Sequence, residues 1–123
     1  MKRPALLTAA LLGFITGFTL WSAASAEKGE QLFNRMCTGC HGLDSGKEGP
    51  QLRGVVGRAA GTVAGFPYSG GIKKAGLVWD EATLDKWLTD PTLVVADNDM
   101  AFRLENAEQR ADIIAYLKML SRK

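Results

Sequence analysis

The sequence predicts an all-α domain of short helices joined by long loops. Three observations point there. Apolar residues recur at three- and four-residue steps in three separate stretches, the spacing of one helix face. No stretch alternates with the period of two that a half-buried strand requires. Most of the 14 glycines crowd between residues 42 and 78, where no period persists.

In chain order, residues 1–26 read as a secretory signal. Lys2 and Arg3 form a basic start, an apolar run extends from Ala5 to Trp21, and Ala24-Ser25-Ala26 fits the small-x-small pattern of a cleavage site. A retained anchor is the alternative, because the run Ala5–Trp21 approaches the lower limit for spanning a bilayer. A helical pattern begins within a few residues of Ala26, however, so an uncleaved anchor would press the domain against the membrane with almost no tether. The reading is therefore a signal peptide over 1–26 and a domain over 27–123 that works in the periplasm. Its alternative is a domain on the periplasmic face of the membrane, anchored by residues 5–21.

Residues 28–40 suit a helix with Leu32, Phe33, Met36, Cys37 and Cys40 on one stripe, ending near Gly39. Residues 42–78 suit loop. A long irregular stretch in a small domain needs a reason, and wrapping a large rigid cofactor is one. A disordered linker is excluded by Leu52, Val55, Val56, Phe66, Tyr68, Leu77 and Trp79. Residues 81–89 suit a second helix, with Leu84, Trp87 and Leu88 on one face, acidic residues at its start and Pro91 just beyond its end. Residues 92–105 are irregular again and carry Met100 and Phe102. Residues 107–120 are the clearest helix: Asn106 can cap it, Gln109 holds the reciprocal capping position, and Ile113, Ile114, Tyr116, Leu117 and Leu120 form the apolar face. The first and last helices are natural partners, with Gly29 and Gly39 permitting close approach and Phe33 supplying a large knob.

Charge narrows the function. The chain of 123 residues has a formal net charge of +2. Lys2 and Arg3, inside the signal, account for that excess, so the remainder is neutral. Nucleic-acid binding, which needs clustered positive charge, is excluded. A domain of this size buries a limited core and often leans on a disulfide or a cofactor. The two cysteines lie three apart, and a bridge between them would constrain almost nothing of the chain.

Cys37-Thr38-Gly39-Cys40-His41 is the C-x-x-C-H attachment signature of c-type haem. Two thiols at this spacing can add to the two vinyl groups on one porphyrin edge, and the next residue brings an imidazole to the iron. A thioredoxin-like redox pair would want a βαβ context and a helix beginning at the motif, whereas here a helix leads into it. A zinc site would need four ligands, and the chain has two cysteines and one histidine. Secretion agrees with the export that haem attachment requires. The sixth ligand must come from elsewhere in the chain, which has no second histidine, and the methionines of the domain are the candidates. Met36 adjoins Cys37 and cannot readily reach the far face, and Met119 lies in the last helix, where packing is its natural role. Met100, in the polar-flanked loop Asp97-Asn98-Asp99-Met100, can cross to the opposite side.

The sequence resembles a class I cytochrome c of the mitochondrial and bacterial cytochrome c2 type over nearly all of residues 28–122. The matching segments stand in order: Gly29-Glu30-Gln31-Leu32-Phe33, the haem motif, Gly49-Pro50-Gln51-Leu52-Arg53-Gly54, Gly57-Arg58 and Gly65-Phe66-Pro67-Tyr68. Trp79, Thr83 through Pro91, Met100-Ala101-Phe102 and Arg110 through Leu117 follow. The resemblance implies the small class I fold, short helices and loops wrapped around one covalent haem c attached through Cys37 and Cys40, with His41 and Met100 as axial ligands. It implies that the Pro50 carbonyl orients the His41 ring. Tyr68, Trp79 and Arg58 would surround the haem propionates, and Gly29, Phe33 and Tyr116 would form the contact between terminal helices. Trp87 stands where the family usually has a tyrosine near the methionine sulfur, and Asn98 where a threonine often supports a buried water. Where mitochondrial forms carry lysines around the haem edge, this chain has Met36, Thr92, Leu93 and Asp99, which predicts weaker steering toward an acidic partner; Lys47, Lys73 and Lys74 are the lysines that could restore such a patch.

The implied function is that of a one-electron carrier, as in a respiratory chain, and not an enzyme. It would shuttle between redox protein donors and acceptors as a monomer, with transient contacts to membrane complexes and no small-molecule substrate. Two alternatives share the same haem. One is a cytochrome subunit held tightly by a periplasmic dehydrogenase. The other is a haem enzyme whose methionine side opens, although the chain has no second histidine to serve as a distal acid or base.

Overall fold

Local signals place each helix. In the computed structural model, which describes residues 1, 2, 4 and 23–122, the first helix, α1, runs over Ala26–Met36. Ser25 caps it, the hydroxyl accepting from the Lys28 N–H at 3.2 Å. The apolar run Ala5–Trp21, and with it the choice between signal and anchor, lies outside the described residues. Among the described residues no helix is long and apolar enough to cross a membrane.

Helix α1 stops before Gly39. Cys37 is its C-cap, with an N–H to the Phe33 carbonyl at 2.8 Å, and a turn follows through Cys40. A short helix that the loop reading of 42–78 does not contain, α2, spans Gly70–Lys74. Five residues are too few for an apolar stripe to register in the sequence, and the helix is held instead by the Ser69 cap and by Asp97 from a distant loop. The same loop carries an isolated antiparallel bridge between Ala59 and Val78. The next two helices match their sequence signals. Helix α3 runs over Glu81–Thr89 with Asp80 as cap, and α4 runs over Ala107–Leu120 with Asn106 accepting from the Gln109 N–H at 3.0 Å. Pro91 does more than end α3: it opens a 3-10 turn over Pro91–Leu93 and is itself fully buried.

Helix α1 packs on α4, and α4 packs on α3. Phe33 meets Tyr116 with ring centroids 5.5 Å apart. Leu32, Phe33, Leu84, Trp87, Leu88, Ile113, Ile114 and Leu117 form most of the buried cluster between the three. The α1–α4 crossing depends on Gly29, whose missing Cβ would collide with the Asp112 carbonyl. Gly39 plays no such part, because a side chain there would meet open space. Met119 is not a packing residue either, being 43% exposed at the end of α4.

Arg110, though buried, is engaged at Nε and Nη1. Its guanidinium donates to Asp85 of α3 at 2.7 Å and to the carbonyls of Leu104 and Glu105 at 2.8 Å each. The Leu104 N–H donates to the Leu88 carbonyl at 2.8 Å. The segment downstream of Met100 is thereby tied to both α3 and α4.

Gly29→Ala gains helix propensity of at most ~1 kcal/mol but drives a methyl group into backbone, an overpacking that costs about 1–3 kcal/mol. The collision decides the sign: the denaturant midpoint of the variant is expected to fall, and an unchanged or raised midpoint would refute this account of the crossing.

Candidate haem site

The end of α1 delivers the attachment motif. The N–H of Cys37 closes the helix, and the Cys40 and His41 N–H groups both donate to the Cys37 carbonyl, at 3.2 and 2.9 Å. This turn places the two thiols and the imidazole on one short stretch of bent backbone. Thr38 donates from its hydroxyl to the Asn34 carbonyl at 2.8 Å, and Lys47 donates to the Thr38 carbonyl at 2.7 Å, bracing the turn from both sides.

Neither thiol resembles an activated redox pair. Burial, and secondarily the neighbouring Cys40, push the Cys37 thiol up to about 11. Cys40 is also raised, chiefly by its hydrogen bond to Glu48, Sγ to Oε2 at 3.5 Å. Redox-active C-x-x-C motifs lower a thiol into the thiolate range, the opposite of what is found here. No disulfide joins the two cysteines.

His41 is half-buried and its direction is set. Its Nδ1 lies 2.8 Å from the Pro50 carbonyl, which can only accept, so Nδ1 carries the hydrogen and Nε2 presents a lone pair. Burial lowers the imidazole from its ordinary value, against a smaller raising effect of the Pro50 bond, and so favours the neutral, ligating form. Gly49 makes this ring position possible, because any Cβ there would overlap the imidazole. The Gly49 N–H donates to the Cys40 carbonyl at 2.7 Å, folding the 47–50 segment against the motif.

Met100 is held at its backbone and at its sulfur. Its N–H donates to Asn98 Oδ1 at 2.9 Å, while Asn98 Nδ2 donates to the Val95 carbonyl at 2.7 Å. Asn98 therefore shapes the loop rather than reaching the sulfur. Trp87 supplies that contact: its indole Nε1–H donates to Met100 Sδ at 3.0 Å. The tryptophan is supported in turn by Trp79, edge to face with centroids 5.0 Å apart. Asp97, which the sequence reading leaves without a role, pins the loop to α2 by accepting from the Gly71 N–H and, through its carbonyl, from the Ser69 hydroxyl, both at 2.7 Å. An aspartate just before the methionine loop, together with the Gly70-Gly71 pair, is the only sequence trace of that latch.

Arg58, Tyr68 and Trp79 come from the central loop. The Arg58 guanidinium donates to the Gln51 carbonyl at 2.7 Å, and burial lowers it from its ordinary value. The Tyr68 oxygen accepts from the Val63 N–H at 3.1 Å, which leaves its O–H free to donate elsewhere. Backbone bonds between Trp79 and both Gly57 and Arg58 join the two halves of the loop.

The donor set and its surroundings fit a haem. Leu43, Leu52, Val56, Tyr68, Trp79, Val94, Val95, Met100 and Phe102 pack against the buried cluster yet each remains partly open. That much apolar surface left half-covered suits a large planar apolar group, and an imidazole nitrogen and a thioether sulfur are low-spin haem ligands. A groove between the start of α1, α3 and α4, lined by Ala24, Glu81, Ala111 and Met119, contains none of these residues.

Comparison with known proteins agrees with this geometry. The family described as Cytochrome c matches residues 26–121. Cytochrome c2 iso-2 of Magnetospirillum fulvum is 51% identical over 88 residues, 69% of this chain and 92% of the relative. Cytochrome c2 of Rhodomicrobium vannielii is 45% identical over 101 residues, 79% of this chain and 80% of the relative. Among solved structures, cytochrome cH from Methylobacterium extorquens superposes with a TM-score of 0.74 at 41% identity, covering 78% of this chain and 99% of that one.

Gly49→Ala is expected to expel the His41 ring from its bond to Pro50, lower stability by about 1–3 kcal/mol as overpacking does, and reduce the yield of pigmented protein. A variant with full pigment and an unaltered absorption spectrum would show that the ring position does not depend on Gly49.

Proposed function

The chain belongs to the cytochrome c family, and from that premise we propose that His41 and Met100 are the two axial ligands of its haem, in a carrier that passes single electrons between redox proteins. Haem c is attached through Cys37 and Cys40, as the family requires. The observation that carries the ligand proposal is the state of the two donor atoms. His41 has committed Nδ1 to Pro50 and leaves Nε2 available. Met100 has one sulfur lone pair occupied by the Trp87 indole and keeps the other for a metal.

The bound haem supplies exchange of one electron between its ferrous and ferric states. The chain's own residues set the conditions. Trp87, Leu84, Leu88 and Leu117 form a dry wall that disfavours the extra positive charge of the oxidised form and so raises the potential. The Trp87 N–H withdraws density from the sulfur, which acts in the same direction. Arg58, Tyr68 and Trp79 are the candidates to satisfy the propionates. With both axial positions filled and no second histidine in the chain to act as an acid or base, the protein works as a carrier and not as an enzyme.

We place it outside the cytoplasm, in the periplasm after removal of its leader, as a monomer that meets donors and acceptors transiently. The surroundings of the attachment turn and ligand loop are mixed in character. Leu93 is 79% exposed, Thr92 and Asp99 are exposed, and Lys47, Lys73 and Lys74 are among the exposed cations, with Arg35 and Arg103. One of these, Lys47, is bonded to the Thr38 carbonyl.

The ferric protein should show the near-red methionine–iron charge-transfer band. Met100→Ala should abolish it with the haem still attached, and Met119→Ala should keep it; a band that survives Met100→Ala would overturn the ligand assignment. Trp87→Phe should lower the reduction potential by roughly 20–60 mV, the one-electron equivalent of a hydrogen bond worth about 0.5–1.5 kcal/mol, with an unchanged or higher potential counting against the indole's role. Electron-transfer rates should decline only gently with ionic strength, and a steep decline would reveal a cationic docking patch.

A further inference from the structure

We infer that the leader is cut between Ala24 and Ser25, so that the working chain begins at Ser25 with its amino group seated on the carboxylate of Asp112. This rests on the proposal that the chain is exported and its leader removed, and it moves the boundary from Ala26.

Ser25 makes three contacts at the start of α1. Its hydroxyl accepts from the Lys28 N–H at 3.2 Å, its carbonyl accepts from the Gly29 N–H at 2.9 Å, and its own N–H donates across to Asp112 Oδ1 of α4 at 2.7 Å. A cut after Ala26 discards all three. Helix α1 then loses its cap, and N–H groups of its first turn lose their acceptors. The larger loss is on the other helix. Asp112 is only 4% exposed, takes part in no ion pair among the described residues, and has the Ser25 N–H as its one hydrogen-bond donor there. A buried carboxylate stripped of its donor is among the costlier defects a small domain can carry.

A cut after Ala24 avoids that defect and meets the same sequence requirement. Ser22-Ala23-Ala24 is as good a small-x-small site as Ala24-Ser25-Ala26. Ala23 and Ala24 are exposed, so the fold loses little with them. The step is a hydrolysis by a leader peptidase. Water breaks the bond between the Ala24 carbonyl carbon and the Ser25 nitrogen, its oxygen joins the new Ala24 carboxylate, and both of its hydrogens end on the Ser25 nitrogen, which becomes an ammonium group. The only change at the fold is that a neutral amide N–H becomes an ammonium group. A positive charge beside a helix N-terminus is normally unfavourable. Here it sits at the capping residue, outside the first turn, against an acid that otherwise has only a neutral donor, and the contact becomes a charge-assisted bond between the two terminal helices.

N-terminal sequencing and intact mass of the haem-loaded protein from its native compartment test this. The expected first residue is Ser25. A chain beginning at Glu27 would overturn the inference while leaving leader removal intact, and a chain retaining Met1 would overturn both. The ion pair is tested separately by amine acylation at neutral pH. In Asp112→Asn the terminal amine should react faster, roughly tenfold for each unit by which the pair had raised its pKa, with lysine labelling unchanged. Equal reactivity in the two proteins would remove the pairing from the proposal, and if the variant fails to fold, the first residue alone decides the cut.

Discussion

This chain does not close a core around itself, because much of the apolar surface against its buried cluster stays uncovered, and the rest of the structure follows from that constraint. Three helices bury a small cluster centred on Phe33, Trp87, Ile113 and Leu117. Beyond it, Leu52, Val56, Tyr68, Trp79, Val94 and Phe102 lean on the cluster without being covered. In an ordinary domain such a ring would be an aggregation hazard. Around a haem it is the remainder of the core, and the covalent attachment makes that remainder permanent. Fold and function therefore share one set of contacts, because the residues that exclude water from the cofactor for stability are the same ones that set its potential.

The sulfur-bearing loop shows how rigidity is added where regular structure is absent. It is tied to α2 by Asp97, braced internally by Asn98, held at the sulfur by Trp87 and secured downstream through Leu104 and Arg110. Each bond is individually modest. Together they leave Met100 few alternative positions, whichever oxidation state the cofactor adopts. A carrier gains from this, since a site that does not move when its charge changes has little to rearrange during transfer.

Much of this was legible in the sequence, and the exceptions have a common cause. Helices α3 and α4 announce themselves because the apolar stripe and the capping residues Asp80 and Asn106 are local to each. The attachment site is legible for the same reason, as its chemistry lies within five consecutive residues. Helix α2, the Ala59–Val78 bridge and the Asp97 latch leave no local pattern, because each is made by residues distant along the chain. Gly39 misled in the other direction: its proximity to Gly29 suggests a shared packing role, but the helix has already ended at Met36. Local pattern makes Trp87 one more member of an apolar face, the family resemblance places it near the methionine sulfur, and the fold shows its N–H donating to that sulfur.

The surface obeys a different requirement from the interior. The free shuttle proposed for this chain would have to release each partner as readily as it finds it, which calls for a small docking patch with few contacts. Long-range charge speeds the encounter but also holds the wrong partner and loses effect in salt. Leu93 offers apolar area that needs no counter-charge, and Asp99 and Lys47 carry opposite signs near the Met100 loop and the attachment turn. On the proposed function, a rim of that composition would select partners by shape and short-range contact. The specificity of transfer would then rest on how closely a partner can approach the attachment turn, whose Cys37–His41 backbone is the same stretch that carries the haem.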